Sequence, residues 1–253
     1  MPFGNDSAFP LHDEQIKKWS QRGYMMDFLK ARASASRSFE TFDFNVKAID
    51  TTNQWTVGAT STATTWAVLA EPGGWIRGVT GASVATGALQ ISIPSKYWNG
   101  TTGAGFASLI RLSAVTEVRL EQGFADVLPA VGTTAVNLAS NAFASVAAGA
   151  VYLYDHTGST TTSGLYTIGT SVAFSATATT TNRYASAVTL FVAVEIDGTT
   201  AKLWVGPPAS PLAVKTSAVA AADAFIPFIM AKTSSGSKNI DIDCIWTWTL
   251  GRV

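Results

Sequence analysis

The stretch Val188-Thr-Leu-Phe-Val-Ala-Val-Glu-Ile-Asp-Gly-Thr-Thr-Ala-Lys-Leu-Trp-Val205 decides the fold class. Val188, Leu190, Val192, Val194 and Ile196 recur at every second position, the period at which a β-strand returns side chains to one face. Asp197-Gly198-Thr199-Thr200 follows. An Asp-Gly pair tolerates the positive φ of a tight turn, so Ala201–Val205 is expected to return as an antiparallel neighbour.

The same period extends in both directions. Phe42, Phe44, Val46 and Ala48 alternate with Asp43, Asn45 and Lys47 and describe an opening strand with one buried face. Further strands are expected at Thr65–Ala70, Trp75–Val79, Ala88–Ile93, Ala107–Ala114, Glu117–Gln122, Ala150–Tyr154, Leu165–Ile168 and Phe225–Lys232. In a last strand, Lys238–Leu250, strict alternation would put Ile240, Ile242, Cys244, Trp246 and Trp248 on one face. Asp241, Asp243, Ile245, Thr247 and Thr249 would take the other. Many short strands with frequent turns predict a mainly β chain, an antiparallel two-sheet sandwich or barrel.

The beginning of the chain differs. Ile16, Trp19, Met26 and Leu29 lie at helical spacing within Asp13–Arg32, interrupted by Gly23, and predict a short helical arm, whole or kinked. Residues 31–38 read as a flexible connector, giving an arm over 1–38 and a sandwich over 39–253.

Charge divides the chain in the same way. Only 13% of the 253 residues are charged, with 17 basic and 17 acidic side chains. Fourteen of those 34 fall within residues 1–50, and from Val127 to Asn182 the sole formal charge is Asp155. Threonine, 32 residues of it with 12 between 127 and 182, supplies a neutral hydroxyl coat suited to a pleated surface. No basic cluster offers a nucleic-acid surface after residue 50. One cysteine, Cys244, excludes a disulfide framework. No apolar run is long enough to span a membrane as a helix, and the N-terminal residues lack the apolar core of an export signal.

Groups with catalytic potential are sparse. His12 and His156 are far apart, and no nucleophile elbow accompanies His156 in Tyr-Asp-His-Thr-Gly-Ser, which also reads as a polar loop. No His/Cys cluster has metal-ligand spacing, and no metal or cofactor is expected. The carboxylates with hydrolytic potential are Glu195 and Asp197, and Asp241 with Asp243 on one predicted face; a solvated face is the competing reading. Gly103-Ala104-Gly105 reads as a turn before a strand rather than a dinucleotide loop. Asn5-Asp6-Ser7 and Asn99-Gly100-Thr101 match the glycosylation sequon. Trp55, Trp66, Trp75, Trp98 and Trp204 lie near strand ends, where an indole can stack on a sugar or fill the gap between sheets.

Five segments taken in order carry a resemblance. They are Phe39-Glu-Thr-Phe-Asp-Phe-Asn-Val-Lys, Thr116-Glu-Val-Arg-Leu-Glu-Gln-Gly-Phe-Ala-Asp-Val-Leu-Pro-Ala and Ala150-Val-Tyr-Leu-Tyr-Asp-His-Thr-Gly-Ser. The others are Val194-Glu-Ile-Asp-Gly-Thr-Thr-Ala-Lys-Leu-Trp-Val-Gly and Asn239-Ile-Asp-Ile-Asp-Cys-Ile-Trp-Thr-Trp. Residues 39–253 resemble the concanavalin A-like (laminin-G-like) jelly-roll domains of tailed-bacteriophage structural proteins. The resemblance implies a two-sheet jelly roll whose first and last strands are neighbours, with no catalytic residues. It also implies a virion location after assembly in the host cytoplasm.

Two functions follow as expectations. The first is a non-enzymatic capsid decoration, cement or head-fibre-type protein, self-associating as a homotrimer and docking on the major capsid protein or another virion protein through Ile16, Trp19, Met26 and Leu29. Packing of that stripe on its own domain is the competing reading. The alternative is a carbohydrate-binding host-adsorption protein of the tail or fibre type, with Trp98 stacking on the sugar. A β-sandwich hydrolase is third.

Overall fold

In a computed structural model the period-two segments become strands, and the helical spacing before them becomes one described helix. The structure describes residues 22–251 apart from 45–47, 53, 61–62, 70–73, 83–86, 94–97, 145, 158–160, 180–183 and 207–209. The helix is α1 (Arg22–Ala35), followed by β1 (Ser38–Asp43), β2 (Thr56–Ala59), β3 (Thr64–Val68), β4 (Ile76–Val79), β5 (Ala88–Ser92) and β6 (Trp98–Asn99). Next come β7 (Ala104–Leu112), β8 (Val118–Ala125), β9 (Val136–Asn137), β10 (Ala142–Phe143), β11 (Gly149–Asp155) and β12 (Thr162–Gly169). The last are β13 (Val172–Ala178), β14 (Thr189–Asp197), β15 (Thr200–Val205), β16 (Ala213–Lys215), β17 (Ala224–Thr233) and β18 (Asn239–Thr249).

Two eight-stranded antiparallel sheets form a sandwich. The first runs β16-β15-β14-β7-β18-β4-β3, with β1 also on β18; the second runs β13-β12-β11-β8-β17-β5-β2, with β6 on β17. β9 and β10 form a separate small hairpin. The fold is a concanavalin A-like jelly roll, and the first strand does pair with the last, Phe42 opposite Ile245. Among the described residues no helix is long and apolar enough to cross a membrane.

The quoted stretch folds as read from Leu190 onward, whereas Val188 precedes the strand and is exposed. β14 and β15 pair from Val192–Val205 to Asp197–Thr200, and Gly198 takes φ +63° in the turn. Leu190, Val192, Val194 and Ile196 enter the core between the sheets beside Phe106, Phe124, Tyr152, Phe225 and Ile229. β1 ends at Asp43, earlier than its alternation suggested. Phe42 and Phe44 still turn inward, while Val46 lies outside the described residues.

Strict alternation in the last strand is broken. The β18–β7 register shifts between Ile242 and Ile245, so two residues face one on the partner strand, the mark of a β-bulge. Ile240, Ile242 and Ile245 therefore point between the sheets, whereas Cys244, Trp246 and Trp248 point outward. The expected single row of Ile240 through Trp248 is thus split across two faces.

That outward row receives α1. Met25, Phe28 and Leu29, at i, i+3 and i+4, pack on Ala107, Leu109, Phe191, Ala193, Trp204, Cys244, Trp246 and Trp248. Phe28 alone meets Phe191, Trp204 and Trp248 at centroid distances of 5.7, 5.0 and 5.9 Å. Each such side chain contributes about 1.5–3 kcal/mol by burial, which holds a helix that would be marginal alone. The expected connector is helical through Ala35, so the boundary near residue 38 marks a change from helix to strand within one packed unit.

Candidate functional site

The second sheet turns alternate residues of β8 away from the core. Val118, Leu120 and Phe124 fill the sandwich, so Arg119 and Glu121 emerge on the outer face. In a β-sandwich hydrolase such a face would present carboxylates to a sugar. Here the described residues of 126–148 lie across it. Ala135, Val136, Phe143 and Val146 pack with Ala125, Val151, Leu153, Tyr166, Phe228 and Met230 in a separate apolar cluster.

Polar groups hold this segment down. Glu121 is completely buried and accepts the backbone N–H of Ala135 at 2.7 Å and of Val136 at 3.2 Å. Arg119 donates Nε to Glu121 at 3.0 Å and Nη1 to Asp155 at 2.9 Å, and it also reaches the Val136 carbonyl. Asp155, the lone charge of the Val127–Asn182 stretch, thus completes a buried ion triad. Gln90 from β5 donates to the Pro129 carbonyl and Lys232 from β17 to the Gly132 carbonyl. Burial pushes the Glu121 carboxyl above its ordinary pKa, although Arg119 and the two amides pull the other way.

The outer face of the first sheet follows a similar plan with different donors. Glu195, expected as a possible acid, forms an ion pair with Arg32 of α1 at 2.6 Å, accepts the Trp248 indole N–H at 3.1 Å and meets Lys202 at 3.4 Å. Gly105 makes room for that indole, since a Cβ there would lie 1.8 Å from the Trp248 ring. Only Gly103 belongs to the expected turn, at φ +72°, while Ala104 and Gly105 already lie in β7, where Gly105 serves packing.

Asp241 is equally engaged. It accepts Arg77 in bidentate fashion at 2.6 and 2.8 Å, and Arg111 at 2.7 and 3.0 Å. Arg111 also lies 4.6 Å above the Trp75 ring. Asp243 sits in the bulge beside Cys244. It is fully buried, its Oδ2 has no hydrogen bond, and desolvation, with Asp43 nearby, raises its pKa from 3.8 to about 8. Among the described residues no three His, Cys, Asp or Glu side chains are grouped to hold a metal ion.

Ile16, Trp19 and His12 lie outside the described residues. Met26 falls in α1, its side chain outside the described set. Leu29 is buried against the first sheet, which realises intramolecular packing for that position. Trp98 pairs with Phe225 and is 5% exposed within the inter-sheet core, so its ring faces no solvent on which a sugar could stack. Trp55, Trp66, Trp75 and Trp204 are also buried. His156 continues the β8–β11 pairing through its backbone.

An open cleft lies at the opposite margin from β13, where the edge strands β2 and β3 approach. Its volume is about 480 Å³, and it is lined by Ala48, Ile49, Thr51, Val57, Trp66, Ala67 and Val68.

The chain matches no protein-family profile and no curated protein sequence. Its structure is similar to several solved ones. The carbohydrate recognition domain of Emp46p in a metal-free form aligns with a TM-score of 0.56 and 14% identity, over 83% of this chain and 94% of that one. A beta-1,3-glucanase from Mycobacterium marinum aligns at 0.54 and 11%, over 84% and 98%. LamAcat from Zobellia galactanivorans aligns at 0.58 and 7%, over 85% and 99%. At these identities the likeness concerns the jelly roll alone.

Proposed function

We propose that this chain is a carbohydrate-binding jelly roll without hydrolytic activity. The observation that carries the reading is the engagement of Gln90, Arg119, Glu121 and Lys232 with residues 126–148. A polysaccharide would meet that segment, not a carboxyl pair. Glu195 and Asp241 are likewise bound to cations, which removes them as free acids or bases. The same architecture serves recognition in the Emp46p domain. The cleft beside Ile49, Val57 and Trp66 offers the concave, largely apolar lining on which the C–H face of a sugar can rest, with the Thr51 hydroxyl at its wall.

The test pairs glycan-array binding with a polysaccharide-hydrolysis assay. Binding is expected to be lost in Ala67→Arg, a change at an exposed cleft position, with an unchanged melting temperature. No reducing ends should be released from β-1,3-glucan. Release that disappears in Glu121→Gln would overturn the non-catalytic reading, and silence across bacterial surface glycans would overturn the binding one.

A second reading keeps the chain on a bacteriophage virion as a decoration, cement or head-fibre-type protein docked on the major capsid protein. The low charge of the sandwich and the phage resemblance support it, and the adsorption role is the form in which both readings agree. Removing residues 1–21 tests Ile16 and Trp19 as docking groups while sparing the buried helix. Full particle occupancy by that truncated form would sink the docking idea.

A further inference from the structure

Among the described residues the main paths of the two sheets end in four strands, and three are poor templates for another chain. β16 has three residues and ends in Lys215; β2 has four; β3 has five and an irregular register with β4. β13 is the exception, with seven residues, Val-Ala-Phe-Ser-Ala-Thr-Ala, and no charge. Its sequence surroundings from Thr157 to Asn182 contain no Lys, Arg, Asp or Glu. Edge strands of soluble proteins ordinarily carry such charges, or are very short, because exposed backbone groups recruit further strands.

The pairing geometry shows which groups β13 leaves open. The Thr179 N–H bonds to the Ser163 carbonyl, and the register continues through Leu165–Thr177 and Thr167–Ser175. In an antiparallel ladder those alternate residues face the neighbouring strand. The N–H and C=O groups of Phe174, Ala176 and Ala178 therefore point away from β12. Ala176 and Ala178 are exposed. The irregularity in this hairpin falls before Ser175 on the turn side, so the run toward Ala178 is regular.

We propose that β13 is an interface between two copies of this chain, paired antiparallel about a two-fold axis at Ala176. That register opposes Ala176 to Ala176, Phe174 to Ala178 and Ser175 to Thr177. Every outward N–H meets an outward C=O. A large side chain faces a small one, the hydroxyls face each other, and no charges are opposed. The strand is its own complement, which selects a second copy over an unrelated partner. A two-fold contact closes after two chains, whereas the virion setting suggested three. The inference stands apart from the carbohydrate reading, because neither the cleft nor residues 126–148 enter it.

Sedimentation of the full chain across a concentration series to about 100 µM tests it. The wild type should reach the mass of two chains. Ala176→Pro removes an outward amide at the axis without taking a bond from the β12 ladder, and Ala176→Lys sets like charges opposite each other. Both variants should be monomeric, with the wild-type melting temperature and circular dichroism. Val214→Lys, on the exposed β16 edge, should remain dimeric. A monomeric or trimeric wild type would overturn the proposal, as would a dimer that persists in both Ala176 variants.

Discussion

The two outer faces of the sandwich are both covered by the chain itself, but by opposite means. On the first sheet the cover is a helix that brings its own cation: Arg32 reaches Glu195 while Phe28 sits among Phe191, Trp204 and Trp248. On the second sheet the cation, Arg119, belongs to the sheet, and the cover contributes backbone amides at Ala135 and Val136. The first seal is mostly apolar, with the Arg32 side chain 23% exposed at its margin. The second is built around a carboxylate without solvent contact. A buried acid thus serves as an anchor in both, and the difference lies in how much of each anchor water can replace.

Asp243 sharpens this comparison because it is a buried acid without such an anchor. Its folded-state pKa, about 8, lies above its ordinary 3.8, so the folded chain holds a proton that the unfolded chain releases in that interval. Stability should therefore fall as pH rises from about 4 to about 8, with the full penalty above it. Asp243→Asn should remove this component of the pH dependence. It should also gain several kcal/mol at pH 9, the largest effect expected, as read from urea unfolding at pH 5 and 9. An equal effect at both pH values would contradict the assignment.

Breaking the apolar seal comes next. Phe28→Ala should cost about 3–5 kcal/mol in urea unfolding, as for a buried aromatic truncation, and removal of residues 1–35 should cost more than removal of 1–21. On the opposite face, Glu121→Ala should cost about 3 kcal/mol, because Arg119 loses a buried partner and two amides lose their acceptor. Glu195→Ala should cost less, about 1–2 kcal/mol, since Arg32 can turn to water. A reversed order of the two glutamate variants would break the proposed contrast.

The sandwich was legible wherever one face is apolar and the other is not. Leu190 through Ile196 and the Asp197-Gly198 turn gave strand, face and hairpin together. β13 escaped because Ala, Ser and Thr occupy both of its faces, leaving Phe174 as the sole strong marker. The helical spacing is legible, but Ile16 and Trp19 set the phase of the expected stripe. Phe28 falls outside that stripe, although Met25, Phe28, Leu29 and Arg32 share one side. The bulge at Asp243 has no residue signature, and a one-residue insertion exchanges every later face. Residues 126–148 carry small uncharged side chains without a period, so nothing local foretold that they would cover Glu121. Trp98 looked like a loop aromatic because its short strand is only two residues long.

The central claim is that the polar face of the second sheet is closed by residues 126–148 and offers no catalytic carboxylate. Hydrogen exchange at the Ala135 and Val136 amides tests it most directly. Both should be strongly protected in the wild type and lose protection in Glu121→Ala. Exchange in the wild type at the rate of an unstructured chain would show the face to be open and would contradict the account.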